Sequence, residues 1–196
     1  ETTNTNGTDG ETKTDYIMKK LLFIVTLLLA FSCGDKTNGV ENQKLQTELD
    51  KYSALEATEA ETKKFIEDYL RDVNSSNWKS KLPKYLQPNP DEFLKEHGAF
   101  RESFTNYQST IKHLTVDGNK GIVWMNITAN YANTYSFESE NDAYGDAIFE
   151  GIKAENQALS WDETWYFNVV DGKFGNEWDF LKDNYAVLEG LKAIPK

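Results

Sequence analysis

Glu163 is the residue whose setting in this chain best fits chemistry. It stands in the run Trp161-Asp162-Glu163-Thr164-Trp165, so an extended strand would put Trp161, Glu163 and Trp165 on one face. Indoles on either side would exclude water. Exclusion would raise the carboxyl pKa, and such a carboxylate can abstract a proton beside a carbonyl near neutrality. The competing expectation is a hydrated, inert carboxylate at the open rim of a pocket, because burying an unpaired charge is costly. Asp183 is a further carboxylate candidate, although its place ahead of a C-terminal helical stretch equally suits a helix N-cap. His97 and His113 are far apart, and no His-Glu-x-x-His, Gly-x-Ser-x-Gly or phosphate-loop pattern occurs. No metal or cofactor is therefore expected. Glu138, Glu140, Asp142 and Asp146 lack the spacing of a calcium loop and read as a solvated acidic stretch.

The elements that must position Glu163 follow from periodicity. Residues Val40 to Val73 are helical in composition. Leu45, Leu49, Tyr52 and Leu55 make a thin apolar stripe, and Phe65, Ile66, Tyr69, Leu70 and Val73 a fuller one over Glu56 to Val73. Asn74-Ser-Ser-Asn77 ends that helix. Trp78 to Leu86 predicts a second short helix stopped by prolines, and Asp91 to Tyr107 a third with Phe93, Leu94, Phe100 and Phe104 inward. The remainder alternates like strands: Thr110 to Val116, Gly121 to Tyr135, Trp161 to Val170 and Lys173 to Phe180. Asp117-Gly118-Asn119-Lys120 and Asp171-Gly172 provide hairpin turns. Ser136 to Leu159 is an acidic interruption, and Asp183 to Leu191 a terminal helix with Tyr185, Leu188 and Leu191 inward. Alternation groups Val123, Met125, Ile127, Ala129 and Tyr131 on one face, and Phe174, Asn176, Trp178 and Phe180 on another. Met125, Tyr131, Trp161, Trp165, Phe167 and Trp178 are the expected lining of an apolar pocket.

Helices followed by an antiparallel meander predict an α+β domain over residues 56–196. Its last third is specific. Phe167-Asn-Val-Val-Asp171-Gly172-Lys173-Phe174, then Glu177-Trp178, Asp183 and Leu188 to Leu191, resembles the tail of the SnoaL-like branch of the nuclear transport factor 2-like superfamily. Phe104 to Tyr135 resembles the segment of that family in which a helix leads into a hairpin. The resemblance implies a cone-shaped, strongly bent antiparallel sheet closed by N-terminal helices, a pocket inside, and frequent homodimers through the sheet. Its members include ketosteroid isomerases, polyketide cyclases, dehydratases and non-catalytic binding domains, so fold alone does not choose an activity. In the cyclases an acidic residue a few positions after the tryptophan acts in acid–base chemistry. Here Lys182 stands there, with Asp179 and Asp183 displaced to either side.

The address is read further upstream. Met18-Lys19-Lys20, the apolar run Leu21 to Ala30, and Phe31-Ser32-Cys33 form a positive region, a short apolar core and a lone cysteine after a small residue. The run is short for a membrane span, which needs about 20 residues. The pattern resembles a bacterial lipoprotein signal over residues 18–32, with Cys33 acylated as the mature N-terminus and residues 33–55 a tether and helical linker. Cys33 is the only cysteine, so no intramolecular disulfide can form. Residues 1–17 are rich in Thr, Asn and Gly and are expected to be a non-native upstream extension. With 21 Lys and Arg against 32 Asp and Glu, the net charge of −11 disfavours nucleic acid and anionic lipid headgroups as partners. Together these features predict an envelope lipoprotein, facing the periplasm. Its domain would bind a small, largely apolar ligand or a protein partner without catalysis, because the sequence identifies no donor opposed to Glu163. The alternative is a small lyase or isomerase using a pocket carboxylate for proton transfer.

Overall fold

The structure, a computed structural model, describes residues 38–87, 90–135 and 152–193. They divide into one unit containing residues 38–51 and a second, Tyr52–Lys196, which carries the sheet. Helix α1 runs over Asn38–Val73. In the second unit its Phe65, Ile66, Tyr69, Leu70 and Val73 are buried, the stripe that helical spacing predicts. Of the thinner stripe ahead of it, Leu45, Tyr52 and Leu55 are exposed and Leu49 is half-buried. No helix of the described residues is long and apolar enough to cross a membrane.

The end of α1 is pinned to the sheet. Asn74 Nδ2 donates to the Ser109 carbonyl at 2.8 Å, and Asn74 Oδ1 accepts from Ser109 N at 2.8 Å. One side chain thereby closes the helix and satisfies backbone groups on an edge strand, which would otherwise be unpaired. A one-turn helix α2 (Trp78–Lys81) and a 3₁₀ turn (Leu82–Tyr85) follow, then α3 (Asp91–Ser103). Four strands form one antiparallel sheet in the order β1-β2-β3-β4: Phe104–Asp117, Lys120–Tyr131, Gln157–Val170 and Lys173–Lys182. The short helix α4 (Asn184–Gly190) closes the described chain.

Alternation sorts the sheet as the sequence predicts on β2 and β3. Val123, Met125, Ile127, Ala129 and Tyr131 are buried beside Trp161, Glu163, Trp165 and Phe167. Helix α1 lies against this inner face, with Tyr69 edge-on to Phe174 at 4.8 Å and Phe65 to Phe174 at 4.9 Å between ring centres. Register breaks at Thr105/Gln108, Ile111/His113 and Phe167/Val169 bend the strands and curve the sheet. The sheet is open, with β1 and β4 at its edges. At the β3–β4 turn, Asp171 and Gly172 both take the left-handed conformation (φ 52° and 71°) that a two-residue hairpin of matching twist requires.

Several boundaries differ from expectation. The third helix stops at Ser103 rather than Tyr107. Phe104 leaves helical geometry and Asn106 adopts φ 54°, so Phe104 to Tyr107 open β1 across a bulge. Strand β2 ends at Tyr131 instead of Tyr135, and β3 begins at Gln157, earlier than Trp161. Asn176 is exposed, because the bulge beside Phe167 breaks the alternation carried into β4. In α4 Tyr185 points outward, and Val187 and Leu191, one turn apart, are the buried pair. Most of the acidic interruption, with Glu138, Glu140, Asp142 and Asp146, lies outside the described residues, as do Cys33 and the whole of residues 1–37.

Candidate functional site

Between the helices and the far half of the sheet lies a cavity of about 30 Å³, room for a single water. Its wall combines Tyr69 of α1, Phe93, His97 and Phe100 of α3, Tyr107 of β1, Glu163 and Trp165 of β3, and Trp178, Phe180 and Lys182 of β4. Tertiary packing assembles it: Phe93, His97 and Phe100 share a face of α3 at helical spacing, while register pairs Glu163 with Lys182 across β3 and β4.

Glu163 is only 7% exposed. Both carboxylate oxygens are held: Trp161 Nε1 donates to Oε1 at 2.8 Å and Trp165 Nε1 to Oε2 at 2.9 Å. The i±2 spacing that puts the three side chains on one face of a strand is what lets two indoles grip one carboxylate. The grip fixes the orientation of the carboxylate and offsets part of the cost of its burial. A carboxylate has about four lone-pair sites, so acceptor capacity remains for a ligand.

Two phenols share the cavity with it. Burial, and then the Glu163 charge, push both Tyr69 and Tyr107 well above the ordinary phenol value, so both stay protonated and able to donate. Arg101 stands behind Tyr107, its guanidinium 4.6 Å from the ring centre and its Nη1 donating to the Val73 carbonyl at 2.8 Å. His97 is pushed down to about 3 by burial and then by the Arg101 charge, so its imidazole is neutral near pH 7. Its ring stacks on Phe93 at 5.5 Å and meets Trp78 edge-on at 4.9 Å. The Lys182 ammonium lies 5.6 Å from the Phe100 ring centre and 6.0 Å from that of Phe180.

Of the residues expected to line a pocket, Trp165 and Trp178 do so together with Glu163. Met125, Tyr131, Trp161 and Phe167 are not in this wall. Each is at most 2% exposed and packs within the hydrophobic core. Tyr131 is instead fastened by its hydroxyl, which donates to the Ile152 carbonyl at 2.9 Å. Asp183 lies outside the cavity wall and caps α4, accepting from Ala186 N at 3.0 Å. Asp179 is likewise structural, its carboxylate accepting from Phe180 N at 2.8 Å. His113 is exposed on β1 and bonds to Thr115. The wall residues not expected from sequence are Tyr69, Phe93, His97, Phe100, Tyr107, Phe180 and Lys182. Tyr69, Phe93 and Phe100 read as plain core and Tyr107 as a helix end, yet a polar ring at position 97 between Phe93 and Phe100 on an apolar helix face is a usable signal.

No family model matches the sequence, and no curated protein matches it. Solved structures do. A protein described as a SnoaL-like polyketide cyclase from Jannaschia sp. CCS1 superposes with a TM-score of 0.56 at 14% identity, over 70% of this chain and 96% of that one. A SnoaL-like polyketide cyclase from Agrobacterium tumefaciens gives 0.53 at 10% identity, over 66% and 97%. TsrD from Streptomyces laurentii gives 0.52 at 18% identity, over 69% and 97%. The likeness is one of architecture. The fold is that of these SnoaL-like structures, an α+β unit with helices on one face of a curved antiparallel sheet.

Proposed function

We propose that the domain is a small acid–base enzyme, a lyase or isomerase that abstracts a proton beside a carbonyl of a small, largely apolar substrate. One observation carries the reading: a buried Glu163, aimed by two indole N–H groups, shares a cavity with the protonated phenols of Tyr69 and Tyr107. Glu163 is the base. A phenol donates to the carbonyl oxygen as negative charge develops there, in a site walled by aromatics that keep water out. The donor that the sequence alone left unidentified is thus supplied by α1 and by the first residues of β1. The description of fold neighbours as polyketide cyclases supports an enzymatic use of this architecture.

Non-catalytic ligand binding is the second reading. It is favoured by the fact that each Glu163 oxygen already accepts an indole hydrogen bond. Presentation of the domain on a bacterial envelope through an acylated Cys33 also belongs to the proposal, supported by the Met18 to Cys33 layout. The chemistry is tested by solvent-deuterium exchange into a panel of cyclic ketones followed by NMR. The wild-type chain accelerates exchange beside the carbonyl and Glu163→Gln does not. Equal rates in the two proteins would reject Glu163 as the base.

A further inference from the structure

Two residues of the cavity wall each carry a buried side-chain nitrogen without a partner. His97 Nε2 and Trp178 Nε1 are buried and hydrogen-bonded to nothing among the described residues. Native proteins leave few such atoms, and each is an unmet demand for an acceptor or donor. That both belong to residues of one wall calls for an explanation. His97 is 92% buried by its 8% exposure, and its ring belongs to the same lining as Glu163.

Both rings touch Phe93. The Phe93 ring stacks on His97 at 5.5 Å with 9° between planes and meets Trp178 at 6.0 Å and 62°. Phe93 is half-buried, in the first turn of α3. It is the aromatic contact common to both residues, so a ligand that takes its place lies against both rings.

We infer that His97 Nε2 and Trp178 Nε1 form a second polar subsite in this pocket, covered by Phe93, that holds a neutral oxygen of the ligand. The ligand is then an apolar body carrying two oxygens. One faces Glu163 and the phenols; the other, a carbonyl or hydroxyl, is held by the indole and imidazole. The chemistry of the pair decides the ligand's charge. An indole N–H only donates, and an imidazole nitrogen donates or accepts according to its tautomer, so the set suits an uncharged oxygen. A carboxylate there would share the pocket with buried Glu163, and the lysine of the wall, Lys182, stands beside Glu163 in strand register with its ammonium over Phe100 and Phe180 rather than over these two rings. The subsite rests on the acid–base reading only for the placement of the first oxygen.

The test compares two neutral probes with the same ring, a gem-dimethyl cyclohexane-1,4-dione, which lacks the acidic carbon of a 1,3-dione, and the matching gem-dimethyl cyclohexanone, by NMR titration of the full chain labelled with ¹⁵N. The wild-type protein binds the diketone about tenfold more tightly, the effect of one added hydrogen-bonded oxygen. The Trp178 indole resonance moves on titration. His97→Phe keeps the ring and its stacking on Phe93 but removes both nitrogens, and the preference falls to about twofold or less. Trp178→Phe does the same independently, so a folding defect in one variant does not decide the matter. Glu163→Gln retains the preference even where exchange chemistry is lost, which separates failure of the subsite from failure of the base. Equal affinity of the two probes for the wild-type chain, or a preference that survives both aromatic substitutions, overturns the inference.

Discussion

Acidification from neutral pH to 4.5 should cost the fold about 3 kcal/mol through one residue. His97 is buried against Phe93, Trp78 and Tyr107, and its pKa falls from the ordinary 6.5 to about 3. The sign follows from linkage. A group with a depressed folded pKa contributes stability above its unfolded pKa and loses it as pH falls toward the folded value. Between 6.5 and about 3, the unfolded chain takes up a proton that the folded chain refuses. Each pKa unit is worth about 1.4 kcal/mol, so at pH 4.5, about two units below the unfolded value, the loss is about 3 kcal/mol. The loss would reach about 4 kcal/mol near pH 3, where carboxylates also contribute. Above pH 4.5 that second effect is small, which isolates the imidazole. The assay is urea unfolding at fixed temperature from pH 7.5 to 4.5, for the wild-type chain and for His97→Phe. The wild-type midpoint should fall steadily below pH 6.5, and that of the variant should stay nearly level. A flat wild-type profile, or the same slope in both proteins, would refute the assignment of His97 as a buried neutral ring.

Two further outcomes are expected elsewhere in the chain. A Cβ added at Gly121 would lie 2.5 Å from Phe167 Cζ in the fully packed inner face. Gly121→Ala should therefore destabilise by about 2 kcal/mol in equilibrium unfolding, and an unchanged midpoint would show that this part of the sheet is not tightly packed. Expressed from Met18, Cys33→Ser should leave the membrane fraction for the soluble envelope fraction, and equal partition of both forms would contradict acylation at that residue.

What the sequence revealed and what it concealed divide along physical lines. Short-range signals were legible. Asp171-Gly172 fixed a turn because its geometry needs left-handed residues, and alternation placed Glu163 between two indoles because strand periodicity is local. The pocket's other wall was not legible. Tyr69 lies in an apolar stripe indistinguishable from core by periodicity, and only packing against Trp165 at 5.9 Å reveals what it faces. Tyr107 was assigned to the end of a helix. The chain turns into a strand at Phe104, with Asn106 in a left-handed conformation that no local motif announced. The split between Trp165, which lines the cavity, and Phe167, two residues on and sealed in the core, depends on where α3 lies over the sheet. A strand pattern assigns a face, whereas a cavity is set by what covers that face.

The central claim is that Glu163 and the two phenols act on one bound carbonyl. The most direct measurement is a crystal structure of the full chain soaked with a cyclic ketone that it exchanges. The account predicts the carbonyl oxygen within hydrogen-bond reach of the Tyr69 or Tyr107 hydroxyl, and the carbon beside it against the Glu163 carboxylate, with Trp161 and Trp165 still holding both oxygens. A ketone bound away from this cavity, or one whose oxygen lies near neither phenol, would contradict it.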